Sequence, residues 1–164
     1  MSAEQDPIEF TREHWADQDQ PGAEYFAAMG ALMRTHQLMI NELDRELKAH
    51  NLSRTAFLLM ATLLISREHT RPLGQLSRHL LVHPTTITLV VDQLAARELV
   101  HRRPHPTDRR TVLATLTEEG LRAVTKAAES LAAARFGLTS VNEPLARRLS
   151  AVLGEVRTKM DDAP

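Results

Sequence analysis

The sequence predicts a mainly α-helical protein with one small β-hairpin and long helices toward both ends. Three features predict it. Apolar residues recur at steps of three and four along most of the chain, which is the period of a helix face. Between Leu99 and Leu116 the period falls to two, the alternation of a strand. Pro72 and Pro84 each open an apolar helical repeat, a place where the missing N–H costs little.

Taken in order, residues 1–23 read as an acidic arm or extra helix, with Trp15 and Phe10 as its aromatic anchors. Residues 24–50 carry one stripe from Tyr25 and Phe26 through Met29, Leu32 and Met33 to Leu43 and Leu47. At 1.5 Å per residue that helix runs to roughly 40 Å. Ser53 is a candidate N-cap, with Leu52 and Phe57 spaced as a hydrophobic staple. The run Ala56 to Ile65 is apolar all round, so it predicts a buried helix. Leu73, Leu76 and Leu80 mark a short helix that ends at His83-Pro84. The helix begun by Pro84 has Ile87, Val90, Val91 and Leu94 on its inner face. Thr85, Thr86, Thr88 and Gln93 remain outside.

The alternating stretch gives one strand over Leu99 to Arg103 and a second over Arg109 to Leu116. Pro104 to Asp108 is turn chemistry between them. Thr117 caps the next helix, whose stripe Leu121, Val124, Ala128 and Leu131 continues to about Phe136. In the last helix Leu145, Leu149, Val152, Val156 and Met160 repeat at helical spacing.

Composition narrows the function. The chain has 164 residues, 43% of them hydrophobic and 25% charged, enough apolar material for one domain with a core. It has no cysteine, which removes thiol catalysis, disulfides and thiolate-bound zinc. No apolar run is long enough to span a bilayer and the first residues are acidic, so a cytoplasmic protein without membrane contact is expected. The formal net charge of -1 excludes a bulk polycation. That balance hides an asymmetry. Up to Glu24 seven acids face the single base Arg12, whereas Arg102, Arg103, Arg109 and Arg110 crowd around the lone acid Asp108. Such a cluster is either a solvated loop or a phosphate contact.

The order of elements decides between them. A short helix, a Pro-initiated helix and a basic hairpin make a winged helix-turn-helix. In that fold the second helix enters the major groove, and arginine at a hairpin tip suits the strong negative potential of a narrow minor groove. Short hydroxyl side chains at the start of the Pro84 helix allow close approach to base edges. The stretch from Asp108-Arg109-Arg110 to Glu118-Glu119-Gly120 resembles the wing signature of the MarR family of bacterial transcriptional regulators. His83-Pro84-Thr85-Thr86-Ile87-Thr88 and Glu98-Leu99-Val100-His101-Arg102-Arg103 resemble its recognition helix and first wing strand.

The resemblance implies a homodimer on a pseudo-palindromic double-stranded operator, usually repressing and often released by a small ligand. By position, His83, Thr85, Thr86, Thr88 and Gln93 would face the major groove. Arg102, Arg103, His105, Thr107, Asp108, Arg109 and Arg110 would form the wing contact. Asp108 would orient Arg110, and Arg109 or Arg110 would enter the minor groove. Leu89 departs from the pattern, since many members carry arginine or another polar residue there. Residues 51–118 are then the DNA-binding domain, and 24–50 with 119–164 the dimerisation helices. Two recognition helices must sit about 34–36 Å apart, a spacing that intertwined helices can hold.

Other constellations are weaker. His79/His83 and His101/His105 are four apart, but Pro84 and Pro104 break both geometries, so no metal and no cofactor is expected. His83 and His105 could instead touch phosphate, tightening binding as pH falls. Met33, His36, Phe57 and Met60 could line a pocket for a small aromatic or anionic effector, or be plain core. An N-terminal helix with a tryptophan is similar to the urate-responsive branch of the family, but Leu89 stands where that branch's arginine is expected. Trp15 and Phe10 then anchor the arm onto a partner subunit. No nucleophile elbow or phosphate loop occurs, so the chain is not expected to be an enzyme. The competing reading is a winged-helix protein–protein module without DNA.

Overall fold

A computed structural model describes residues 6–108 and 110–160. Its helices are α1 (Pro7–Asp17), α2 (Ala23–Lys48), α3 (Arg54–Leu64), α4 (Leu73–Leu80), α5 (Pro84–Ala96), α6 (Glu118–Ala133) and α7 (Glu143–Lys159). Its strands are β1 (Thr70–Pro72), β2 (Val100–Pro104) and β3 (Val112–Leu116). The chain divides into two units, Met1–Glu42 and Leu43–Pro164, and α2 passes from the first into the second. Among the described residues no helix is long and apolar enough to cross a membrane.

In the first unit Asp6 caps α1 by accepting from the Ile8 N–H at 3.1 Å, and Pro7 occupies the first turn. Arg12 joins the helices, pairing with Glu9 and, at 3.2 Å, with Glu24. The guanidinium beside Glu9 holds that carboxyl below the usual range. Trp15 stacks on Phe26 at 4.1 Å and donates its indole N–H to the Pro21 carbonyl at 3.0 Å. Within this chain its stacking partner therefore lies on α2. Phe10 stacks on His14. Tyr25, Met29, Leu32 and Met33 leave an exposed apolar row on α2.

The second unit holds the main core. Leu59, Met60 and Leu63 of α3, Leu76 of α4, Ile87, Val91 and Leu94 of α5, and Val124 and Leu131 of α6 are almost fully buried together. Each such side chain stabilises the fold by about 1.5–3 kcal/mol. The expected caps hold: Ser53 accepts from the Ala56 N–H at 3.2 Å and Thr117 from the Gly120 N–H at 2.8 Å. The α7 stripe is not covered, and no residue of α7 is buried.

The structure differs from the predicted hairpin in two ways. The sheet has three antiparallel strands in the order β1-β3-β2, with Thr70 opposite Thr115 and Val100 opposite Leu116. β1 has only three residues, too few to display a period. The second hairpin strand begins at Val112, because the Asp108 carboxylate accepts from the Arg110 N–H at 3.0 Å and from the Thr111 hydroxyl at 2.6 Å. That side chain competes with the ladder for the backbone and holds the segment in a turn. α6 stops at Ala133, before the expected Phe136, because Arg135 and Phe136 turn left-handed with φ of 49° and 51°.

Candidate nucleic-acid interface

The α4–α5 turn sets the direction of the exposed helix. Leu81 closes α4 in the left-handed region, and the nearly buried Ser77 donates its hydroxyl to the Val82 carbonyl at 2.7 Å. His83 then caps α5, its Nδ1 accepting from the Thr85 N–H at 3.3 Å. Ile87, Val90, Val91 and Leu94 face the core as predicted. Thr85, Thr86 and Gln93 are exposed on the other side, and Thr88 is half-buried.

The wing is tied to this helix. Arg102 of β2 donates to the Asp92 carboxylate of α5 at 2.8 Å, while Arg103, on the opposite strand face, reaches the Thr115 hydroxyl at 3.2 Å. Both members of the Arg102–Asp92 pair are well exposed, so its stabilisation is at most about 1 kcal/mol. Its main consequence is orientation.

At the tip, His105 Nδ1 accepts from the N–H groups of Thr107 and Asp108, both at 3.3 Å, and the Thr107 hydroxyl lies 3.2 Å away. The His105 N–H donates to the Thr111 carbonyl at 2.9 Å and closes the turn. His83 and His105 both use Nδ1 as an acceptor of backbone N–H groups.

Asp108 accepts from the Arg110 backbone N–H at 3.0 Å rather than from its guanidinium. The Thr111 hydroxyl and then the Arg110 N–H hold the Asp108 carboxyl below the usual range. A carboxyl lowered by folding stabilises the turn above its unfolded pKa, and that contribution is lost as pH falls through the lowered value. Asp108→Ala is expected to speed hydrogen exchange at the Arg110 amide markedly and leave the global unfolding midpoint almost unchanged. Amide exchange followed by NMR, with a denaturant titration, checks both.

Between α4, α5 and the wing lies an open cleft of about 510 Å³. Thr88, Arg102, His105, Asp108 and Arg110 meet there, joined by Gln75 and Arg78 of α4. The sequence reading missed the last two. Their signal was present, since Leu73, Leu76 and Leu80 place residues 75 and 78 on the outer face of α4. His83, Thr85, Thr86, Gln93, Arg103 and Thr107 do not line the cleft. Arg109 lies outside the described residues. Phe57 and Met60 are closed in the core at 6% and 0% exposure, whereas Met33 and His36 are exposed on α2. Among the described residues no three His, Cys, Asp or Glu side chains are grouped to hold a metal.

Residues 52–112 match the model of the MarR family. The chain is 32% identical over 90 residues to the HTH-type transcriptional regulator MhqR of Bacillus subtilis strain 168, covering 55% of this chain and 61% of that relative. The aligned region thus spans about three-fifths of the relative's length. Among solved structures it is similar to Sco5413 of Streptomyces coelicolor, a MarR family transcriptional regulator. That match has a TM-score of 0.79 and 30% identity, over 86% of this chain and 98% of that one. The fold is also similar to that of Sco3205 of the same organism, solved in complex with DNA. There the TM-score is 0.75 at 20% identity, over 85% and 89% of the two chains. The likeness to Sco5413 runs through nearly all of that regulator, and the matched family model covers the helix-turn-helix and the wing as far as the start of β3; this chain belongs to the MarR family of transcriptional regulators.

Proposed function

We propose that the chain is a homodimeric, sequence-specific DNA-binding regulator, a repressor that sits on a pseudo-palindromic operator and is released by a small effector. The observation that carries this is the meeting of Arg78, Arg102 and Arg110 with Thr88 in one open cleft beside the exposed face of α5. Of these guanidiniums Arg102 is paired with Asp92, so Arg78 and Arg110 supply the cationic field of the cleft, and the one acid lining it, Asp108, already has its oxygens engaged by the turn. Such a surface suits a phosphate backbone held against a helix in the major groove. The DNA complex of the similar Sco3205 supports the same use of the fold.

In this reading residues 51–118 bind DNA, and 24–50 with 119–164 pair two chains. The unburied stripe of α7 and the exposed row on α2 support the pairing, because apolar faces of that length are ordinarily covered. Residues 1–23 form an arm. The effector is a small aromatic or anionic molecule, and Met33 and His36 are the accessible members of its expected pocket. No catalytic step is assigned.

The test is footprinting of the purified protein on DNA flanking its own gene, repeated over a range of salt, with its mass measured in solution. A protected pseudo-palindrome, an affinity that falls steeply with salt, and a mass of two chains are expected. A single-chain mass, or binding indifferent to salt, would sink the reading.

A further inference from the structure

We propose that Leu89 reads a thymine by its C5 methyl, so that an apolar contact at the centre of the recognition helix sets base preference. The proposal rests on the reading of α5 as the helix that enters the major groove. Leu89 is 57% exposed, although Ile87, Val90, Val91 and Leu94 already give α5 its full buried face. At 100° per residue it lies opposite that face, one turn after Thr85 and one turn before Asp92 and Gln93.

Its neighbours one helical turn away, Thr85, Thr86, Asp92 and Gln93, are polar. The one carboxylate beside it, Asp92, is paired with Arg102 at 2.8 Å and presents little net charge to a phosphate. A branched four-carbon side chain at the middle of such a face can neither donate to nor accept from a base edge. The thymine methyl is the apolar group that the major-groove edge of a base pair offers. Contact between them removes both from water, while a guanine or cytosine there would leave its polar edge facing hydrocarbon.

The experiment uses the full chain and a duplex consensus selected from a random pool at fixed salt. Each thymine is replaced singly by deoxyuridine, which lacks only the methyl. One thymine per half-site is expected to lose roughly fourfold in affinity on replacement, the factor for burying one methyl. In Leu89→Ala, whose side chain is exposed and whose fold should persist, that penalty disappears and thymine and deoxyuridine bind alike. A penalty that survives in Leu89→Ala overturns the proposal, because another group then reads the methyl. A selected consensus in which no deoxyuridine matters overturns it too, while operator recognition stands. If no sequence is enriched, operator recognition itself fails and takes the proposal with it.

Discussion

Gly120→Ala is expected to destabilise the chain by about 3 kcal/mol or more, the upper end for overpacking a site that cannot give way. Gly120 sits in the first turn of α6, which is pinned onto the end of α5 and the start of β2. The Thr117 N–H donates to the Leu99 carbonyl at 3.1 Å, and its hydroxyl donates to the Glu98 carbonyl at 2.7 Å while accepting from the Gly120 N–H. A Cβ at Gly120 would stand 2.0 Å from the Leu99 carbonyl oxygen and 3.2 Å from a Leu116 methyl. The obstacle is backbone, and the Val100–Leu116 pairing next to it fixes its place. Relief requires α6 to lift off the sheet and break its own cap.

Helix propensity alone predicts the opposite sign, since alanine is favoured over glycine inside a helix by about 1 kcal/mol. Gly154→Ala supplies the contrast. Its Cβ meets nothing within 4 Å, and it lies opposite the α7 stripe, so a gain of about 0.5–1 kcal/mol is expected there. Thermal melting separates the two, because about 3 kcal/mol corresponds to a Tm roughly 6–12 °C lower in a chain of this size. A Gly120→Ala protein that melts with the parent would mean that α6 does not approach Leu99 this closely.

Gly120 also illustrates what the sequence carries openly and what it does not. It stands in the wing signature as a letter, and only the fold supplies its reason, an approach between residues far apart in the chain. Local devices were legible one by one. Ser53 and Thr117 declare their helices by side chains that reach three residues ahead. Pro84 fixes a helix start by its ring, and the α5 inner face follows from a period. What stayed hidden was non-local or competitive. β1 exists because Thr70 finds Thr115, 45 residues away, with their hydroxyls 2.8 Å apart. The late start of β3 reflects Asp108 capturing two donors that a strand pattern assigns to the ladder. Trp15 is legible as an anchor, but its choice of Phe26 is set by how α1 and α2 meet.

The candidate interface divides along the same line. The wing arginines and the threonines of α5 were visible because each group is contiguous. Arg78 was not, because the period of α4 marks only its leucines and its outer face joins the wing only in three dimensions. Likewise Arg102, counted among four equivalent arginines, turns out to be committed to Asp92. Charge inventory by sequence counts such a residue as a free cation, whereas its field at a phosphate is reduced by its partner.

That distinction yields the largest expected effect on function. Arg78→Ala and Arg110→Ala each remove one cation from the cleft. Each should weaken binding to every duplex alike and reduce the slope of log affinity against log salt by roughly one, the two together by roughly two. Arg102→Ala should behave differently. It exposes the unpaired Asp92 carboxylate on the helix that faces the DNA, so its loss should exceed that of Arg110→Ala. Adding Asp92→Asn to Arg102→Ala should restore part of the affinity. On the proposed reading the arginines would act in two ways, as direct phosphate contacts at residues 78 and 110 and as a charge mask at residue 102. Titrations of operator and random duplexes across a salt series distinguish them. An Arg110→Ala protein with the parent's affinity and slope would remove the wing from the DNA contact, and an Arg102→Ala defect unmoved by Asp92→Asn would make Arg102 a direct contact instead.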